Sequence, residues 1–148
     1  NMEEILISIL QLIHQELPEL SLVDEDCGQL EFENDHYPLT FPCALIGKME
    51  TEWEEIGLGM QKGVVTLTVR LAIDCYDDTH IGSGTTEKVA GRLQLANRLY
   101  TVLQCSRHSS SMGAMVRIKS RFYALPDMIK VYEYVFQFEY NDESACVR

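Results

Sequence analysis

Positive charge is scarce in this chain. Twelve Lys and Arg stand against 23 Asp and Glu over 148 residues, for a formal net charge of −11. Tight nucleic-acid binding draws on basic side chains that displace phosphate counterions, so it is excluded as the main activity. Passing close to DNA without gripping it is not excluded. Long apolar runs are also missing, and none reaches the roughly 18–20 residues that a membrane span requires. Between Met2 and Leu17 the chain carries Glu3 and Glu4, where a secretion signal needs positive charge. The expectation is a protein of a cytosol-like compartment, with Asn1 a cloning remnant ahead of Met2.

Signatures of catalysis are equally thin. Cys27, Cys43, Cys75, Cys105 and Cys146 are odd in number, widely spaced and without a Cys-x-x-Cys pair, which argues against structural zinc and a disulfide framework. Cys75 and His80 are close in sequence, but a core-facing thiol at a strand end accounts for Cys75. The Gly82-Ser83-Gly84 turn has no Lys-Ser/Thr after it and follows Asp77 and Asp78, so a phosphate loop is excluded. Asp74, Asp77, Asp78 and His80 form at most a loose cation cluster. Asp24, Asp26 and Gly28 resemble the start of a calcium loop, but the glycine and the closing acid stand at the wrong positions. Four scattered histidines suggest no triad. The chain reads as a non-enzyme without metal or cofactor.

What is present is hydrophobic period. From Val64 to Tyr76 the sequence alternates, with Val65, Leu67, Val69, Leu71, Ile73 and Cys75 on one side and Thr66, Thr68, Arg70 and Asp74 on the other. Side chains of a strand point to opposite faces in turn, so this predicts a long antiparallel strand with one dry face. Glu3 to Leu17 has helical period in Ile5, Leu6, Ile9, Leu10, Ile13 and Leu17, and Pro18 stops it. Ile7 and Leu12 widen its apolar arc, through deeper burial or through contact with another subunit. The acidic stretch Ser21 to Tyr37 reads as a solvated connection, with Leu30 and Phe32 alternating in a short edge strand. Leu39 to Trp53 is the next strand region. A second helix spans about 86–104, with Val89, Leu93, Ala96, Tyr100 and Leu103 in one stripe and Gly91 and Ala96 small enough for close packing on a sheet. Cys105 to Gly113 reads as a mobile polar loop, and residues 141–148 as a frayed tail.

Together these predict a single α+β domain over residues 1–148. It has two layers: a mainly antiparallel sheet of about four strands with a long hairpin, packed by an N-terminal and a central helix. One region stands out as a contact surface. In the segment Glu54 to Gly63, read as the hairpin tip, Ile56, Leu58 and Met60 are apolar where a free tip should be polar. They either meet a partner or fold back on their own strands. In the last hairpin, Met115–Phe122 and Val131–Tyr140, Val116, Ile118 and Phe122 fill one face opposite the aromatic row Tyr132 to Tyr140. Arg117, Lys119 and Arg121 then fall on the face of Glu133 and Glu139, where opposite charges help set the register.

The order of helix, acidic connection, Trp-bearing hairpin with a glycine tip, helix and final hairpin resembles bacteriophage tail-terminator and tail-completion (head–tail joining) proteins. The likeness rests on Phe41-Pro42-Cys43-Ala44-Leu45, Trp53, the Val64–Tyr76 run, the Val89–Leu103 helix and Tyr132–Tyr140. It implies a non-enzymatic hexameric ring in the virion tail, assembled in the bacterial cytoplasm. The ring caps the tail tube and offers the head connector its docking surface. Its implied partners are copies of itself, tube proteins and connector proteins. A head-to-tail ring needs two different surfaces per subunit. Trp53, Ile56, Leu58 and Met60 could supply one, and Arg117, Lys119 and Arg121 could contribute to the other. An acidic lumen would let DNA pass without sticking. The acidic stretch from Asp24 to Asp35 matches nothing in that family pattern. The competing reading is a small monomeric or dimeric binding module, holding a peptide or small ligand between helix and sheet.

Overall fold

The computed structural model describes residues 1–32, 39–75 and 84–146. The loose cation cluster through Asp77, Asp78 and His80, and the Gly82–Ser83 turn, fall outside them. The elements are α1 (Met2–Glu16), β1 (Leu22–Glu25), a 3-10 turn at Gln29–Glu31, β2 (Cys43–Gly57), β3 (Met60–Asp74), α2 (Thr85–Leu103), β4 (Val116–Leu125) and β5 (Ile129–Asp142). They build one five-stranded sheet in the order β1-β2-β3-β5-β4. β1 runs parallel to β2, and the remaining pairs are antiparallel. The architecture is α+β, with one strand beyond the four expected.

β3 is the axis. It pairs with β2 on one side and with β5 on the other along nearly its whole length, so its period of two decides what each face carries. Val65, Leu67, Val69 and Leu71 are fully buried on the helix side, together with Phe136 and Phe138 of β5. Against them α1 sets Ile5, Ile9, Ile13 and Leu17, and α2 sets Ala96, Leu99 and Leu103. Each large side chain buried there contributes roughly 1.5–3 kcal/mol, offset by the entropy of ordering the chain. The aromatic row of β5 is core, as its alternation predicts. Ile7 stays 52% exposed, whereas Leu12 packs in part against the core.

The opposite face departs from the sequence reading. Arg70 is not on a wet surface: it is 8% exposed and held by two carboxylates. Its Nε donates to Asp26 Oδ2 at 2.7 Å and its Nη1 to Glu31 Oε1 at 2.5 Å. Burial alone would lower its pKa, but Glu31, Asp26 and the Tyr123 hydroxyl together hold it above its ordinary value. As far as Phe32, the acidic connection is therefore a second, partial layer and not a solvated loop. Leu30 and Phe32 do not form an edge strand. Gly28, at φ +84°, turns the chain, its N–H donates to Asp26 Oδ1, and Gln29 ties back to the Glu25 carbonyl, so Leu30 lies in the 3-10 turn. The edge strand is Leu22–Glu25, which ends five residues before Leu30. Leu22, Leu30, Leu39 and Phe41 then cover a small second core of Cys43, Leu45, Ala72 and Val131.

Three boundaries move. The hairpin tip is only Leu58-Gly59, because β2 and β3 stay paired out to Gly57 and Met60. Leu58 at φ +56° and Gly59 at φ +83° give a turn of the I′ kind, whose twist matches that of the strands. Gly63 opposes Trp53, and a Cβ there would meet the Trp53 ring at 2.8 Å; the indole lies where a side chain would be. In α2 burial is confined to the second half: Val89 and Leu93 are 38% and 42% exposed, and Gly91 has nothing near it. The end of the chain is tied down further than expected. β5 reaches Asp142, paired with Gln61, and the Ala145 carbonyl packs against Gly59.

Arg70 yields a direct test. Replacing it by Ala strands Asp26, which is itself largely buried. Removing one partner of such a pair costs about 3–5 kcal/mol. Chemical denaturation should show a loss of that order for Arg70→Ala, and a smaller one for Glu31→Gln, whose side chain is half exposed.

Candidate functional site

The candidate contact residues lie on two separate parts of the sheet. Trp53, Ile56, Leu58 and Met60 belong to the β2–β3 hairpin, and Arg117, Lys119 and Arg121 to β4 on the far edge, with β5 between them. At the tip, Leu58 is 76% exposed, Ile56 44% and Trp53 43%, while Met60 is half-buried. Ile56 and Leu58 therefore face solvent instead of folding back. Glu55 stiffens the turn: its Oε1 accepts from the N–H groups of Gly59 at 3.0 Å and Gly57 at 3.3 Å. Trp53 stands edge-on to Tyr140, with ring centroids 6.3 Å apart. The result is an apolar tip on a rigid arm.

The basic row is broken. A register shift between Arg117 and Lys119 leaves Ile118 as an extra residue in β4, and a bulge of this kind turns successive side chains over. Arg117 thus lands on the helix face, its guanidinium 3.6 Å from the Tyr100 ring centroid and 5.3 Å from that of Tyr134, a cation–π arrangement. Lys119 and Arg121 remain on the other face. Arg121 Nε donates to Glu133 Oε2 at 2.9 Å, as the charge pattern predicts, and that carboxylate holds Arg121 above its ordinary pKa. Glu139 pairs with Lys62 instead. Val116, Ile118 and Phe122 were expected to share one face, but the same shift sets Val116 across from Gln137 and Phe122 across from Tyr132, on opposite faces. They are 45%, 51% and 53% exposed, because β4 is the last strand of the sheet.

The face opposite the helices holds a cleft of about 830 Å³, lined by Asp26, Glu31, Lys48, Thr68, Arg70, Arg121, Tyr123 and Glu133. Its charges largely satisfy one another: Arg70 by Asp26 and Glu31, Arg121 by Glu133. Cys43, beneath this face, is pushed up to about 11 by burial and stays a thiol at neutral pH. Among the described residues, no group of three His, Cys, Asp or Glu is placed to hold a metal ion.

One polar site escaped the sequence. His108 links elements a hundred residues apart: its Nδ1 lies 2.8 Å from Ser8 Oγ on α1, and its Nε2 lies 2.9 Å from Ser106 Oγ. Ser106 in turn donates to the Leu103 carbonyl. The loop was expected to be mobile, but it is anchored. Met112 and Met115 are buried, and Gly113 and Asn141 close backbone hydrogen bonds to Glu139 and Ser111. The imidazole thus ties α1 to the loop after α2 through two hydroxyls.

No family model and no curated protein matches this sequence. Among solved structures, a chain of the "Virion of native gene transfer agent (GTA) particle" matches with a TM-score of 0.66 at 9% sequence identity, over 95% of this chain and 97% of that one. The two share a fold. The likeness runs nearly end to end in both, so it takes in the helices and the sheet together.

The bridge at His108 makes stability depend on pH. Burial lowers its pKa below the ordinary 6.5, so the unfolded chain binds a proton that the folded chain refuses. The contribution is complete above 6.5 and is lost as pH falls from there towards the lower folded value. Denaturant midpoints should therefore drop between pH 7 and 5, and His108→Gln should flatten that slope.

Proposed function

We propose that this chain is a non-enzymatic structural protein of a phage or prophage tail. It forms a ring that caps the tail tube and presents the surface on which the head connector docks. The observation that carries this reading is the end-to-end likeness of fold to a virion chain. The surfaces support it. A rigid arm ends in solvent-exposed Leu58 and Ile56, and the last strand exposes Val116, Ile118 and Phe122, which gives each subunit two unlike faces, as a closing head-to-tail interface requires. The charge of −11 suits a lumen that DNA traverses without adhering. Assembly then takes place in the bacterial cytoplasm, and the mature location is the virion tail.

The binding-module alternative needs room between helix and sheet. That space is filled by Ile5, Ile9, Ile13, Leu99, Leu103 and Phe136, all without exposure, so the reading as an assembly protein is preferred.

Two measurements test it. Deleting the gene in the producing host should yield tails of uncontrolled length and heads without attached tails. Joined particles with normal tails in that deletion would overturn the reading. Leu58→Asp with Met60→Asp should abolish complementation while the far-ultraviolet circular dichroism of the variant stays that of the wild type.

A further inference from the structure

Both edges of the sheet are open among the described residues. β1 covers β2 only from Cys43 to Ile46, and Gly47 lies against Asp26, so residues 48–57 have no outer strand. At the other side β4 is last in the sheet. The Arg117 N–H is taken by Gln104 Oε1, which leaves the strand open from Ile118 onward. Unpaired edges invite a further strand unless they are blocked. β2 and β5 run one way, β3 and β4 the other. A second copy placed in the same orientation would therefore bring its β2 antiparallel to β4.

The two edges match in chemistry on both faces. Glu50, Glu52 and Glu54 oppose Thr66, Val64 and Lys62, on the face away from the helices. Lys119 and Arg121 oppose Val135 and Glu133 on that same face. On the helix face β2 exposes Trp53 and β4 exposes Phe122. Acid would meet base on one side of a joined sheet, and aromatic would meet aromatic on the other.

We propose that the distal part of β2 of one copy pairs antiparallel with β4 of the next, continuing the sheet between subunits. One register satisfies both faces: Glu54 lies across from Lys119 and Glu52 from Arg121, while Trp53 faces Ser120 and sits diagonal to Phe122, within reach of an aromatic side chain. This gives the ring reading its interface and rests on that reading for its place in the tail. The pairing is heterologous, since the two edges differ, so each subunit has one acidic and one basic end.

Charge reversal with mixing tests it. Variant one carries Lys119→Glu and Arg121→Glu, and variant two carries Glu52→Lys and Glu54→Lys; all four positions are exposed. Sedimentation at millimolar concentration and low ionic strength should show wild-type self-association. For either variant alone the midpoint should rise at least about tenfold, a change of about 1.4 kcal/mol. An equal mixture should recover assembly, because each variant's reversed edge then meets its complement. That recovery also shows that both variants are folded. Raising salt should weaken the wild type, since exposed pairs are screened. A wild type that stays monomeric, variants that assemble as the wild type does, or a mixture that fails to recover would each overturn the pairing. Assembly that is intact in both variants leaves the ring reading standing, whereas the deletion phenotype decides that reading without reference to this interface.

Discussion

The constraint on which the rest depends is the two-sided pairing of β3. A strand bonded on both sides cannot slip by one residue without turning every side chain to the wrong face. Val65, Leu67, Val69 and Leu71 therefore commit one face to the helices. Thr66, Thr68, Arg70 and Ala72 are committed to the other. The helices, the hairpin arm and the edge strands all take their positions from that division.

On the second face the division creates a problem that the acidic connection resolves. A guanidinium on a half-covered sheet must either reach water or find anions. Here the chain folds a carboxylate-rich turn over it, and Asp26 and Glu31 complete its hydrogen bonding. Buried ion pairs add little net stability compared with apolar packing; their value lies in placement. Arg70 determines where the turn sits, and the turn then carries Leu30 onto the small core of Cys43, Leu45, Ala72 and Val131. The described part of the segment that matched no family feature, Asp24 to Phe32, is thus a structural strap.

On the proposed reading this molecule works at its surfaces. Its polar cleft is lined by charges that already satisfy one another, its imidazole bridge is tied to two hydroxyls, and the space under its helices is filled. Among the described residues its exposed apolar groups include Trp53, Ile56 and Leu58 on the arm and Val116, Ile118 and Phe122 on the last strand, with others on the two helices. A sheet whose two edges are open among the described residues and chemically unlike is suited to repetition, because the same contact can recur from copy to copy until the rotation closes.

Much of this was legible in the residues alone. The alternation in β3, the stripe of α1 and the aromatic row of β5 each name a face through local period, and local period survives folding whenever the partner surface is apolar. The exposure of Leu58 was half legible: its position in the chain marked it, but whether the tip folded back depended on the turn, and Leu58-Gly59 at positive φ sends the arm straight out. Four features belonged to tertiary structure. The bulge at Ile118 split the basic row, because one extra residue inverts the alternation that follows it. Arg70 found its partners more than 35 residues away, and His108 found Ser8 at a separation of 100. Val116, Ile118 and Phe122 became surface because β4 came last in the sheet. Where strands run without a bulge, the sequence by itself determined which side chains share a face. Tertiary structure alone decided which faces are covered, because coverage depends on strand order and on contacts between distant segments, and no local period encodes either.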